Sequence, residues 1–282
     1  MSQTFNRISV LGGGLLGGSI ALALDGKAGS KLWFRKPEAA AKAREIGIEA
    51  ATGDLADAVD DCDLLILAVP VGAMAPLLSA AVQAGLPSKT LVTDVGSVKQ
   101  TPHRELGPIL RENGNSFIGS HPMAGSEQNG LVAAKPDLFQ NAACLLTNDS
   151  GAAEELCSEL EKFWKSLGCR TKWLTASEHD VIVARISHLP HITAASTAFS
   201  ALGNECGIGE FAGGGLRDTT RIASGNPDMW AEILTENKEA IIPELRENIS
   251  HLNEILASLE QGNLEAVREW LAGAKKLRDA LR

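Results

Sequence analysis

Residues Arg7 to Leu11 alternate loosely and run straight into Gly12-Gly13-Gly14-Leu15-Leu16-Gly17, and Ile20 to Leu24 then has a helical pattern. A strand, a G-x-G-x-x-G turn and a helix in that order leave few folds open. Gly12 supplies the tight turn, Gly14 lets the backbone approach a pyrophosphate, and Gly17 packs helix on strand. Amides at the helix start, around Leu15 and Leu16, then face the phosphates. The pattern predicts an N-terminal Rossmann-type domain with Gly12, Gly14, Leu15, Leu16 and Gly17 at a dinucleotide.

The second strand, Lys31 to Phe34, tests which dinucleotide. NAD enzymes usually carry an acidic residue about 20 residues past the glycines to hold the ribose 2′-hydroxyl. Here the chain reads Trp33-Phe34-Arg35-Lys36, with no carboxylate. Arg35 and Lys36 suit a 2′-phosphate, which favours NADP over NAD; two solvated cations at a strand end are the plainer alternative. Pro37 to Ile46 reads as a helix with proline in its first turn. Asp63 to Val69 is an apolar run suited to a buried parallel strand, and Val69 and Pro70 at its end are assigned to the cofactor site. Leu91 to Val95 is another such strand, followed by Ser97, a candidate N-cap for the next helix. Strands at Asn115–Ile118, Ala143–Thr147 and Arg170–Leu174, with a helix from Ala152 to Leu167, extend the alternation. It predicts an α/β fold with a doubly wound parallel sheet over residues 1–175. No convincing strand follows Leu174, and residues 176–282 read as helices broken by glycine-rich turns.

A chain of 282 residues accommodates two such domains. Its longest apolar run, Leu64 to Val71, falls short of the about 20 residues a membrane helix needs. The N-terminus lacks the apolar region of a signal peptide. Five scattered cysteines without C-x-x-C spacing read as reduced thiols in a cytoplasmic protein. A net charge of −9 argues against nucleic acid as the main partner but leaves an anionic small substrate open. There is no tyrosine, so a phenol cannot serve as acid or base.

Three stretches carry candidate chemistry. In Gly119-Ser120-His121-Pro122-Met123-Ala124-Gly125-Ser126-Glu127, His121 is expected on a loop leaving a strand end. Its side chain can take a proton near neutral pH, with activity rising through about pH 6.5. In Ser187-His188-Leu189-Pro190-His191, Pro190 should kink a helix, and His188 and His191, three apart, share a face. No third ligand lies nearby in sequence, so a cleft lining is favoured over a metal site. In Gly213-Gly214-Gly215-Leu216-Arg217-Asp218-Thr219-Thr220-Arg221, two arginines four apart suggest one cationic helix face for carboxylates. Against that stands a solvated face with Asp218 paired to one of them. His179 reads as a packing residue.

Together these stretches, with Ile222 to Pro227 continuing the third, resemble the prephenate/arogenate dehydrogenase family from about Arg7 to Trp230. The resemblance implies oxidative decarboxylation of prephenate to 4-hydroxyphenylpyruvate, or of arogenate to tyrosine. It implies His121 as general base, with Ser97 beside the nicotinamide and the substrate hydroxyl. Glu127 and His191 match positions that gate the pocket, and Arg221 matches a carboxylate-binding arginine. Arg217 stands where the family has a basic or an aromatic residue. Trp230 matches a tryptophan that some members supply from the partner subunit. An all-helical C-terminal dimerisation domain and a homodimer are implied as well. The rivals are a 3-hydroxyacid-type dehydrogenase and a nucleotide-sensing module without catalysis. Asn237-Lys238 has the wrong order for the first, and the second would need neither His121 nor Arg221.

Overall fold

A computed structural model of the protein describes residues 5–24, 29–124, 130–203 and 207–281. Strands and helices alternate from β1 (Ile8–Leu11) and α1 (Leu15–Ala23) through β2 (Lys31–Trp33) and α2 (Pro37–Glu45). Next come β3 (Ala51–Thr52), α3 (Leu55–Val59), β4 (Leu64–Leu67), α4 (Val71–Gln83), β5 (Leu91–Asp94), α5 (Gln100–Asn113) and β6 (Ser116–Pro122). β7 (Ala143–Thr147), α6 (Glu154–Ser166) and β8 (Arg170–Leu174) complete one sheet in the order β3-β2-β1-β4-β5-β6-β7-β8. The first six strands in that order have the arrangement of two mononucleotide-binding halves.

The sheet is buried on both faces, so its strands are apolar without alternation. Successive side chains still point to opposite sides. Leu64 and Ile66 join Val10, Leu32 and Ile118 in one core, whereas Leu65 and Leu67 join Leu11, Val92 and Phe117 in the other.

Two sequence expectations need correction. The sheet is not parallel throughout: β7 runs antiparallel to β6, and β8 is parallel to β7. His121 is also not on a loop. β6 pairs with β5 up to Ile118 and then, from Gly119 to Pro122, with β7, so the strand extends through His121. Pro122 ends it, where a missing N–H is cheap.

By contacts the chain forms two compact units, Met1–Asn237 and Lys238–Arg282. The first holds the sheet together with α7 (Ala176–Val183), α8 (Leu189–Leu202), α9 (Gly214–Thr220) and α10 (Pro227–Glu236). Among the described residues no strand follows β8, so the helical pattern expected over 176–282 is observed. The second unit is a pair of packed helices, α11 (Lys238–Glu260) and α12 (Leu264–Asp279), the latter capped by the Asn263 side chain. Leu252, Leu256, Leu259 and Leu264 of this unit are exposed. No described helix is long and apolar enough to cross a membrane.

Candidate active site

The first unit encloses a cavity of about 600 Å³. Gly14, Leu15 and Leu16 border it after β1, and Ala68, Val69 and Pro70 border it after β4. Gly12 has φ +121°, a conformation that L side chains rarely adopt. A Cβ on Gly17 would collide with the carbonyl of Gly12. A Cβ on Gly14 would meet nothing within 4 Å. Gly12 and Gly17 thus shape the turn from behind, and Gly14 starts α1 with its backbone open to the cavity. These residues fit a dinucleotide pyrophosphate at a helix N-terminus. Arg35 and Lys36 are exposed just past β2, and neither borders the cavity.

The cavity also meets Gly96, Ser97 and His121. Ser97 is not the expected N-cap. α5 begins at Gln100, and its first amides, Lys99 N and Gln100 N, donate to the Asp180 carboxylate at 2.7 and 3.0 Å. With the capping done from α7, Ser97 stays in the cavity wall.

The loop carrying Ser97 is pinned by a fully buried ion pair, Lys99 Nζ to Asp94 Oδ2 at 2.6 Å. Lys99 also donates to the carbonyls of Gly96 and Val98, at 2.8 and 3.1 Å. Asp94 accepts from Gly96 N at 2.8 Å and, across the sheet, from Ser120 N at 3.1 Å. One carboxylate therefore ties the Ser97 loop to the residue before His121. Removing one partner of such a pair typically costs about 3–5 kcal/mol, because the other charge is left buried. Gly119 makes room for this pair: a Cβ there would lie 2.7 Å from Lys99 Cδ.

Behind His121 stands a chain of buried polar groups. His121 Nδ1 lies 2.9 Å from His179 Nε2, and His179 Nδ1 lies 2.8 Å from Asp180 Oδ1. His179 is thus no mere packing residue. Asn237 Nδ2 donates to the Asp180 carbonyl at 2.8 Å and contacts His188 Nδ1 at 3.0 Å. A carbonyl only accepts, so the Asn237 atom facing it is the amide nitrogen. That nitrogen also donates to His188 Nδ1, so the His188 hydrogen sits on Nε2. His188 borders the cavity, and its Nε2 is buried without a partner among the described residues. It is a donor waiting for an acceptor.

Burial pushes the His121 imidazole well below its usual range, and charge on His179, Lys99 and His188 adds to the effect. The proton uptake expected of His121 near pH 6.5 therefore shifts to lower pH. Burial also lowers His179, against the pull of Asp180, and takes His188 down to about 4. His191 is lowered by burial too. For Asp180, burial would raise the carboxyl, but the hydrogen bonds from His179 and the Gln100 and Lys99 amides outweigh it and hold it low.

The helical wall departs from expectation in several places. Pro190 cannot donate to Ile186, and the chain answers with a π-helical turn, Ala184–His188, before α8 rather than a plain kink. His188 ends that turn at the cavity. His191 lies behind, stacked on Trp230 with ring centroids 3.6 Å apart and planes 11° apart. Trp230 borders the cavity of its own chain. The two arginines do not share a helix face. α9 ends at Thr220, and Arg221 opens a 3₁₀ turn that brings it to the cavity. Arg217 is exposed, donates to the Ala212 carbonyl at 3.3 Å, and does not border the cavity. Glu127 lies outside the described residues. Glu232 borders the cavity and accepts from Gly72 N at the start of α4. Among the described residues there is no cluster of potential metal ligands.

Two family models match in succession: "Prephenate dehydrogenase, nucleotide-binding domain" over residues 31–173, and "Prephenate dehydrogenase, dimerization domain" over 175–273. The prephenate dehydrogenase of Bacillus subtilis is 34% identical over 288 aligned residues, covering 100% of this chain and 77% of the relative. The chain belongs to the prephenate dehydrogenase family. The cyclohexadienyl dehydrogenase of Zymomonas mobilis is 30% identical, over 99% of this chain and 97% of its own. Among solved structures, the Aquifex aeolicus prephenate dehydrogenase, in complex with hydroxyphenyl propionate and NAD⁺, aligns with a TM-score of 0.89 at 27% identity over 98% of both chains. The Synechocystis arogenate dehydrogenase aligns with a TM-score of 0.80 at 28% identity, over 97% of this chain and 99% of its own. A 3-hydroxyisobutyrate dehydrogenase of Mycobacterium tuberculosis, 15% identical with a TM-score of 0.53 over 83% of this chain and 93% of its own, shares only the fold. Family membership makes this chain a dehydrogenase and sets aside both the 3-hydroxyacid type and the non-catalytic module. Sequence reasoning gave no place in the site to Asp94, Lys99 or Asp180, read His179 as a packing residue, and used Asn237 only to weigh the 3-hydroxyacid type.

Proposed function

We propose that the protein oxidises and decarboxylates prephenate to 4-hydroxyphenylpyruvate, using NADP. The observation that carries this is a single cavity bordered by Gly14, Ser97, His121, His188 and Arg221. A dinucleotide at the glycine turn, when bound, supplies the acceptor for the hydride that leaves C4 of the ring. His121 takes the proton of the C4 hydroxyl, with Ser97 beside it, as the carbon–oxygen double bond forms. The bond from C1 to its carboxylate then breaks, and its electron pair flows through the ring to the C4 oxygen. That oxygen recovers the proton from His121, and the ring is aromatic. Arg221 holds a substrate carboxylate, and Trp230, stacked on His191, forms an apolar wall. Glu127 and Arg217 are assigned to the substrate site only by the family pattern. Aromatisation favours the reaction, so alignment is the protein's main contribution.

Prephenate is preferred to arogenate on chemical grounds. The His188 Nε2–H suits a keto or carboxylate oxygen and would face an ammonium as donor against donor. The one described carboxylate side chain bordering the cavity, Glu232, is engaged by Gly72 N. For the cofactor, Arg35 and Lys36 stand exposed where an acidic residue would select NAD, and neither enters an ion pair or side-chain hydrogen bond among the described residues. The protein is further assigned to the cytoplasm as a homodimer, with 1–175 as the dinucleotide domain and 176–282 as the substrate and dimerisation domain. Steady-state rates of reduced-dinucleotide formation with each substrate and each cofactor test these choices. The expected result is the highest kcat/KM for prephenate with NADP. A tenfold preference for arogenate overturns the substrate, a higher kcat/KM with NAD overturns the cofactor, and no turnover of either acid overturns the whole assignment.

A further inference from the structure

His121 can act as a base at the cavity only if the right ring nitrogen carries the lone pair. Free histidine imidazole in water favours the hydrogen on Nε2. Since Nδ1 is turned to His179, Nε2 is the nitrogen left for the cavity. An undirected His121 would therefore offer mostly an N–H where a lone pair is needed.

The surrounding hydrogen bonds settle the question from the far end. Asp180 receives two backbone amides, Lys99 N and Gln100 N, which can only donate. Its carboxylate is an acceptor, so the hydrogen between it and His179 sits on His179 Nδ1. With His179 neutral, its Nε2 carries a lone pair. The only hydrogen that fits the 2.9 Å contact to His121 is then one on His121 Nδ1. The source of this order is rigid: α7 starts with a capping box in which Thr175 Oγ1 accepts from Glu178 N and Glu178 Oε2 accepts from Thr175 N. His179 and Asp180 follow directly.

We propose that His179 and Asp180 are positioning residues that hold His121 as its Nδ1–H tautomer, leaving the Nε2 lone pair to accept the substrate hydroxyl proton. The assignment rests on the base role given to His121 above. In the step itself the substrate O–H bond breaks and an N–H bond forms at His121 Nε2. The oxygen keeps the O–H electron pair, from which the carbonyl forms as the hydride leaves. The proton remains on His121, and its Nδ1–H, donated to His179 and backed by Asp180, supports the new positive charge. Lys99 acts on His121 by charge and opposes that positive charge. In the Ser-His-Asp triad of serine proteases, where a carboxylate likewise sets the histidine tautomer, the wrong tautomer costs about 10⁴ in kcat.

Long-range ¹H–¹⁵N correlation spectra of the full-length protein, free of substrate and dinucleotide, report the His121 tautomer without any activity. The expected spectrum shows His121 as Nδ1–H near neutral pH. His179→Phe, which removes the acceptor, should move it toward Nε2–H and lower kcat by about 10² or more, with KM within about threefold because His179 does not border the cavity. Finding His121 as Nε2–H in the unmodified protein overturns the proposal whether or not the variant folds. So does a folded His179→Phe variant with kcat within threefold of the parent. Observing the Nδ1–H form together with no prephenate turnover supports the tautomer assignment and overturns only the substrate reading.

Discussion

The glycine turn after β1 and the histidine wall contributed by β6 and the π-helical turn, backed by α7, border the same cavity, yet they are specified at different ranges. The turn depends on neighbours in sequence: a left-handed Gly12, a Gly17 too close to Gly12 for any side chain, and an open Gly14. The histidine wall depends on partners far apart in the chain. His121 meets His179 across 58 residues, Lys99 N meets Asp180 across 81, and Asn237 meets His188 across 49. One cavity can thus combine a turn that any copy of the motif would form with a buried polar wall that only the finished fold creates. Damage to the first should appear in folding and dinucleotide affinity, and damage to the second in turnover and its pH dependence.

The largest effect should come from the histidine wall. His121→Asn keeps hydrogen-bonding capacity but removes the base, and kcat should fall by about 10² to 10⁴ with KM within a few-fold. A kcat within tenfold of the parent would assign the base elsewhere. The same comparison fixes the pH profile. Only neutral His121 can accept the proton, and its pKa is depressed by burial and by the charges of His179, Lys99 and His188. Neutral His121 therefore persists below the ordinary pKa of about 6.5, and kcat/KM should stay flat from about pH 8 through that value and fall only at lower pH. An acid limb centred at about 6.5 or above would mean that the buried environment does not govern the free enzyme.

The glycine turn sets up a paired test of intermediate size. Gly17→Ala would press a methyl group into the Gly12 carbonyl, and overpacking of this kind typically costs about 1–3 kcal/mol, occasionally more. Thermal unfolding should show a clear fall in Tm for this variant. Gly14→Ala has free space for its methyl group and should keep its Tm, while dinucleotide binding weakens because the added carbon stands in the cavity wall. Equal dinucleotide affinity in Gly14→Ala and the parent, by calorimetric titration, would remove the pyrophosphate from this turn.

What could be seen in the sequence follows the same division. The strand, turn and helix from Ile8 to Ala23 were legible because backbone conformation and close packing leave direct marks on residue type. The apolar runs of β4 and β5 were legible because a strand buried on both faces has little choice of composition. β3 escaped notice because two residues carry no pattern, and the reversal of β7 because an apolar run does not encode direction. Asp94 and Lys99 gave no sign of burial, since such charges usually lie at the surface. His179 read as a packing residue from the sequence; only spatial neighbours reveal that Asp180 caps α5 and His179 faces His121. Ser97 borders the cavity, and the cap it was weighed against comes from Asp180 instead.

The smallest expected effect concerns the two arginines, where a local pattern and the finished fold disagree. Their spacing of four suggested one cationic face, but α9 stops at Thr220, which separates them. Arg221 enters the cavity wall at the start of a 3₁₀ turn, whereas Arg217 is exposed with its Nε on the Ala212 carbonyl. A charge-assisted contact is worth about 1.5–3 kcal/mol, so Arg221→Ala should raise KM for prephenate about tenfold to a hundredfold. Arg217→Ala should change KM by about twofold or less, since a solvated cation at that distance is screened by salt. Raising the ionic strength separates the two further: a screened Arg217 contribution should vanish, while a direct Arg221 contact should largely persist. If instead Arg217→Ala carries the larger KM effect, the carboxylate is bound outside the cavity wall described here, and α9 must extend through Arg221 when substrate is present.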